Sequence, residues 1–273
     1  MISRSDLALE AADSLLTGEK LPDGVSLKSY VRGAFNITDV KIYGDDAAKK
    51  LGKSKGRYLT LETKNSFDTH PGDFAKDSLA LADELRSLIG NPERVLVVGL
   101  GNFDVTPDSL GARVADRIIA TRHIKDNFPE LDKMFQANVS VLKTGVMGKT
   151  GMESAEAVKA TAKTVKPDCI IVCDALACSG VSRLGHAIQM TDTGISPGSG
   201  VMNSRKEISK RTVGVPCVAI GVPTMADSKE LEMMVTPKNI DKLILRASRL
   251  IANAINLCLH PELTLSEIEV LAE

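Results

Sequence analysis

The sequence predicts an α/β fold. It reads as a single domain with a mostly parallel sheet flanked by helices, plus a small additional β region near the N-terminus. Three observations carry this. The runs at 95–98, 169–173 and 217–223 are short, apolar and rich in β-branched residues, as strands buried on both faces are. Segments with helical apolar spacing alternate with them, the order expected of βα units. The first two runs also lead into acidic residues, Asp108 and Asp174, and the carboxyl ends of parallel strands are where functional groups collect in such sheets.

The elements follow in order. Residues 1–10 form an arm, and 7–16 carry a weak helical pattern. Residues 25–43 and 57–62 alternate apolar and polar positions, which predicts strands of a peripheral sheet turning near Gly44 and Gly56. A helix over 73–89 is drawn by Leu79, Ala82, Leu85, Leu88 and Ile89, and Gly90-Asn91-Pro92 ends it. After the strand at 94–98, a helix is predicted over 107–121, with Thr106 capping and Pro107 in its first turn. A short strand at 139–142 enters a glycine-containing loop, and a helix over 153–165 stops before Pro167. Strand 169–173, a polar loop at 192–200 and strand 217–223 come next. Thr236 and Pro237 open the clearest helix, striped by Ile240, Leu243, Ala247, Leu250, Ile251 and Ala254. A short helix is predicted at 265–271.

Composition excludes several classes. A net charge of −1 lacks the basic excess that phosphate neutralisation needs, and 3% aromatics with no Trp offer few stacking platforms for single strands. No apolar run approaches the roughly 20 residues of a membrane span. The first residues, Met1-Ile2-Ser3-Arg4-Ser5-Asp6, lack an apolar signal segment, so a cytoplasmic protein is expected. Five Cys without framework spacing fit a reducing compartment.

Asp108 and Asp174 are the candidate catalytic pair. Two carboxylates held close share one proton, so one activates a water while the other, protonated, polarises a carbonyl. The plainer reading is that each is a turn or cap residue. Gly99-Leu100-Gly101 after a strand invites a nucleotide-binding reading, but Asp104 stands where the third glycine or Ala belongs, and a sharp turn at Gly101-Asn102 explains it as well. Loop 192–200 reads either as a surface loop or as a cleft lining whose amides hold a peptide or an oxyanion. Arg205-Lys206 is either a solvated pair or the partner of an acidic substrate side chain. Cys169 and Cys173 fall on one strand face as small core residues. No zinc-site spacing and no Gly-x-Ser-x-Gly elbow occur, and His123 and His186 stand isolated.

Several of these stretches together resemble the germination protease family of spore-forming bacteria. They are Lys55-Gly56-Arg57-Tyr58-Leu59-Thr60-Leu61-Glu62, Gly99-Leu100-Gly101-Asn102 with Val105-Thr106-Pro107-Asp108-Ser109-Leu110-Gly111, and Asp174-Ala175-Leu176-Ala177. Asp192-Thr193-Gly194-Ile195, Pro197-Gly198-Ser199-Gly200, Arg205-Lys206-Glu207-Ile208-Ser209, Gly221-Val222-Pro223-Thr224 and Val235-Thr236-Pro237-Lys238 continue the match in family order.

The resemblance implies an atypical, metal-independent aspartic endopeptidase of the spore core, without cofactor. Its fold would be similar to that of hydrogenase-maturation endopeptidases. Its substrates would be small acid-soluble spore proteins, and its oligomer a homotetramer. Its two aspartates fall on Asp108 and Asp174. The candidate substrate-binding residues are Asn102, Asp192, Gly198, Ser199, Arg205 and Lys206. Family members process themselves, cutting after an acidic residue and before an apolar one followed by Ala. Ser5-Asp6-Leu7-Ala8-Leu9-Glu10 resembles that site, so self-cleavage is expected between Asp6 and Leu7. Residues 1–6 would then be a short propeptide and 7–273 the peptidase domain. The alternatives are a metal-dependent endopeptidase of the same fold and a non-enzymatic nucleotide-binding module.

Two departures stand out. Only 225–234 connects Thr224 to Val235, where the family commonly carries a long insertion. Ser196 stands where a His is more usual.

Overall fold

Loop length decides the sheet. In this computed structural model, which describes residues 5–7, 10, 21–69, 72–127, 134–199, 205–228 and 233–272, β1 (Val25–Arg32) and β2 (Phe35–Ile42) are joined by two residues. Gly33, at φ +59°, makes that tight hairpin possible, and so short a link enforces antiparallel pairing. A short helix α1 (Asp45–Leu51) leads to β3 (Gly56–Glu62), again antiparallel to β2.

Helix α2 (Phe74–Ile89) begins as expected, with the Asp73 side chain accepting the N–H groups of Ala75 and Lys76. Strands β4 (Arg94–Leu100), β5 (Asn138–Gly145), β6 (Cys169–Cys178) and β8 (Cys217–Ser228) run parallel, and the helix α4 (Ser154–Val165) supplies one crossover between them. The α3 helix (Leu110–Ala115) follows β4, and α5 (Ile240–Leu259) and α6 (Leu265–Leu271) close the chain.

With β7 at Ala187–Thr191, the sheet order is β1-β2-β3-β7-β8-β6-β4-β5, with β9 (Met233–Val235) on the far part of β8. The N-terminal strands are not a separate sheet. Strand β7 (Ala187–Thr191) pairs antiparallel with both β3 and β8 and welds the two halves together. The fold is a single α/β domain around one large mixed sheet, parallel where Asp108 and Asp174 lie and antiparallel through β1, β2, β3, β7 and β9.

Side chains alternate across it. Val95 and Val97 of β4 with Cys169, Ile171 and Cys173 of β6 face the core formed with α2, α3 and α5. Leu96, Val98, Ile170 and Val172 face the smaller core under α4. Among the described residues no helix is long and apolar enough to cross a membrane.

Four expectations are corrected. The helix predicted over 107–121 is a 3-10 turn, Thr106–Asp108, followed by the short α3. The chain leaves helix early because Asn256 of α5 accepts the Ile119 N–H, and Thr121 bonds to Val139 at 3.0 Å. Thr106 does not cap; its hydroxyl bonds to Asp241. Strand β6 continues through Asp174 to Cys178, because β8 keeps pairing with it as far as Ala226. Helix α5 starts at Ile240 rather than at Pro237. The helical pattern at 7–16 lies almost wholly outside the described residues.

Candidate active site

The two aspartates meet because of strand order. From β4 the chain crosses to β5 on one side, then returns past β4 to β6, whose next partner in the parallel set is β8 on the other side. The crevice between the carboxyl ends of β4 and β6 is therefore the topological switch point of the parallel half. Gly99 of β4 is level with Cys173 of β6, so Asp174 stands at the lip of that crevice.

Asp108 reaches it by a tight turn. Gly101, at φ +93°, lies so close that a Cβ there would sit 2.0 Å from the Asp108 carbonyl oxygen. The turn is tied from two sides. The Asn102 N–H donates to Asp108 Oδ2 at 2.7 Å, and the buried Thr224 hydroxyl of β8 donates to the Pro107 carbonyl at 2.8 Å. Thr224 falls at a register shift between β6 and β8, where Leu176 opposes Pro223 and Ala177 opposes Met225. At Gly111 a Cβ would lie 2.1 Å from the Cys173 carbonyl oxygen, so α3 lies directly on β6 one residue before Asp174. The glycines of the Gly-x-Gly stretch thus serve close packing.

Asp108 and Asp174 line one cavity of about 380 Å³, together with Arg205, Gly198 and Asp6. Burial raises the Asp174 carboxyl well above the usual range, the charges of Asp108 and Asp6 push it further, and the Ala175 N–H opposes. Burial also raises Asp108, but the Asn102 N–H and the Arg205 guanidinium both favour its charged form. The arrangement therefore makes the pair unequal: the surroundings favour the neutral form more at Asp174, and Asp108 is the better-supported carboxylate.

The N-terminal arm reaches this cavity through Asp6, while Ser5, Leu7, Lys53 and Gln189 line a neighbouring one that Asp6 also lines. The Asp6 N–H donates to the Ala177 carbonyl at 2.9 Å. The Asp6 carboxylate accepts the Ala177 N–H at 2.9 Å and the Ser199 hydroxyl at 2.6 Å. Its carbonyl oxygen accepts Lys53 Nζ at 2.8 Å and Gln189 Nε2 at 3.1 Å. Leu7, fully buried, packs with Leu176, Cys178 and Ala226. Four residues after Asp6, the Glu10 carboxylate accepts the Ser179 N–H and hydroxyl and faces Arg183.

Of the six candidate substrate-binding residues, Ser199 touches the arm, while Gly198 and Arg205 line the cavity. Asn102 acts through its backbone on Asp108. Lys206 is turned away, with Nζ on Glu156 at 2.6 Å. Asp192 lies at the other end of the sheet, where Oδ1 accepts the Arg57 N–H and its neighbours are Asp168 and Pro216, at the amino ends of β6 and β8. The reason is that β7 runs antiparallel to β8, so the loop after it starts at the far end and must climb to reach the cavity. Lys53 and Gln189 carry no motif signal; Lys53 belongs to a loop between two local elements, and only long-range pairing brings it here. Among the described residues no three His, Cys, Asp or Glu side chains gather closely enough to hold a metal ion.

Comparison with known proteins gives one consistent result. The family model for germination protease matches residues 2–232. The chain is 35% identical to a germination protease of Clostridium tetani, with 98% of each chain covered. It is 37% identical to one of Caldanaerobacter subterraneus, covering 98% of this chain and 97% of that one. It is 39% identical to one of Bacillus licheniformis, covering 88% of this chain and 67% of that one. The first two alignments, of 320 and 325 positions, are longer than the 273-residue chain, so those relatives carry segments with no counterpart here. Among solved structures, a [NiFe] hydrogenase maturation protease, HycI, from Thermococcus kodakarensis aligns with a TM-score of 0.42 and 21% identity, covering 64% of this chain and 98% of that one. On the sequence matches, the chain belongs to the germination protease family, whose name is that of a peptidase of spore germination.

Proposed function

We propose that this chain is an endopeptidase that begins the breakdown of small acid-soluble spore proteins at germination. It cuts after an acidic residue and uses Asp108 and Asp174 to activate water. It is made as a precursor that cuts itself between Asp6 and Leu7, which leaves residues 7–273 as the working enzyme.

One observation carries this reading. Asp6 lines the cavity of the two aspartates, with its acidic side chain held by Ser199 and Ala177, and the apolar side chain of Leu7, which follows it, is buried. An arm merely packed on the surface would not need a tailored place for each side chain flanking one bond.

The chemistry follows from the unequal pair. Asp108, ionised, takes a proton from a water as its oxygen attacks the Asp6 carbonyl carbon. Asp174, protonated, gives its proton to the Leu7 nitrogen as the C–N bond breaks. The products are a carboxylic acid at residue 6 and an amine at Leu7, and the shared proton has changed sides. A spore-protein substrate would enter in the same extended manner, at modest cost if that segment is disordered.

The test is mass spectrometry of the purified chain after mild acidification, with Asp108→Asn and Asp174→Asn alongside. A new N-terminus at Leu7 is expected in the parent and in neither variant. Cleavage by either folded variant at the parental rate would overturn the dyad. Chelation followed by metal readdition should leave the rate unchanged; a metal-restored rate would move the chemistry to the metal-dependent alternative.

A further inference from the structure

Beyond the aspartates, two groups in the cleft, Lys53 and Gln189, have placements the proposed chemistry does not yet use. Lys53 follows α1, which closes on Gly52 at φ +63° with the Gly52 N–H donated back to Ala48 and Lys49. The Lys53 N–H also returns to Ala48, at 3.1 Å, so the start of this side chain is fixed by the helix end. Its ammonium points into the cleft, where burial disfavours its charge and Asp6 and Glu10 favour it.

What the ammonium touches is informative. A carboxylate lies within the same residue, yet Lys53 Nζ is on the neutral Asp6 carbonyl oxygen, 2.8 Å away. The Asp6 carboxylate is served by two neutral donors, Ser199 Oγ and the Ala177 N–H. Simple ion pairing would reverse this. The second lone pair of the carbonyl accepts Gln189 Nε2 at 3.1 Å. Gln189 is buried on β7 opposite Gly221 of β8, and Gly221 is opposite Asp174 of β6, so Gln189 stands in the same row of the sheet as Asp174.

We propose that Lys53 and Gln189 form the oxyanion clamp of this peptidase, with Lys53 a catalytic residue that binds the carbonyl oxygen of the bond to be cut. As water adds to the carbonyl carbon, the C=O π pair moves onto that oxygen, and its negative charge forms between an ammonium and an amide N–H already in place. When the C–N bond breaks, the pair returns and the carbonyl is restored within the new carboxyl group. The clamp leaves the Asp174 proton for the departing amine rather than for the oxygen. A substrate protein cut in trans would present its own carbonyl to the same two donors. The inference rests on the peptidase reading above.

The experiment measures the first-order appearance of the Leu7 N-terminus in the full chain, for the parent, Lys53→Met, Lys53→Arg and Gln189→Leu. Loss of one oxyanion donor costs roughly 100-fold to 1,000-fold in rate. Lys53→Met is expected to fall about 100-fold, Gln189→Leu less, and Lys53→Arg to recover part of the rate. Hydrogen exchange at the Ala177 amide, in an Asp174→Asn background, reports whether the arm is still seated. Unchanged protection with a slowed rate supports the clamp. A fall of less than tenfold, or a slowed rate with lost protection, overturns it and leaves the peptidase reading intact. A parent chain that never produces the Leu7 terminus overturns both.

Discussion

Replacing Gly111 by alanine probes how the two aspartates are held together. The added Cβ would stand 2.1 Å from the Cys173 carbonyl oxygen and 2.7 Å from both the N and O of Leu100. Ordinary contact begins at 3.4 Å, so α3 must retreat from the sheet by about 1 Å. All three atoms are backbone of β4 and β6, so no side chain can rotate away to absorb the strain. Overpacking of this kind costs about 1–3 kcal/mol, and each kcal/mol lowers Tm by about 2–4 °C at this chain length. The retreat also draws the Asp108 turn, joined to α3 through Ser109, away from Asp174. A displacement of about 1 Å at a reacting centre costs roughly 100-fold in rate. The assay pairs calorimetry with the Leu7 mass shift, and Gly148→Ala is the control, since nothing lies within 4 Å of its added Cβ. A Gly111→Ala protein with parental Tm and parental cleavage would refute the argument that backbone proximity at this glycine sets the site.

Three further outcomes follow from the same geometry. Asp174 holds its proton to higher pH when folded than when unfolded, so folding stability falls as pH rises above the ordinary carboxylate range. Asp174→Asn should therefore have a higher Tm than the parent at neutral pH and the same Tm near about pH 3, where both states keep the proton; an equal Tm throughout would show that burial does not strain this group. Burial pushes His260 down to about 4, and neither ring nitrogen has a hydrogen-bond partner. The unfolded chain therefore binds the extra proton first, and stability is lost as pH falls from about 6.5 to about 4, by roughly 3 kcal/mol in all; His260→Leu should flatten that slope in acid melts. Asp6→Ala should suppress the Leu7 terminus, Asp6→Glu should preserve it, and Ser199→Ala should slow it about tenfold by removing one donor to a charged group at an exposed rim; equal rates for Asp6→Ala and the parent would remove the acidic side chain from recognition.

Much of the parallel half of the fold was legible because its signals are local. The strand runs at 94–98, 169–173 and 217–223 and the helices α2, α4 and α5 declare themselves by spacing and by stops such as Gly90-Asn91-Pro92 and Pro167. The failures come from partners far away in the chain. The stretch 107–121 has good helical spacing, but Asn256 and β5 take its backbone groups, and a weak local preference yields to a buried hydrogen bond. Strand β7 is five residues long and gains its identity only from the two strands beside it.

The sequence by itself determined the candidate aspartates, the acidic–apolar bond in the arm and the glycines that let backbone approach backbone, since each is a property of residue type at a fixed chain position. Only the tertiary structure decided that Lys53 and Gln189 share one carbonyl oxygen, that Ser199 rather than Lys206 meets the Asp6 carboxylate, and that Asp192 stays at the far end of the sheet. Those are relations between residues from 47 to 193 positions apart, set by strand order and direction, and chain spacing carries no information about either.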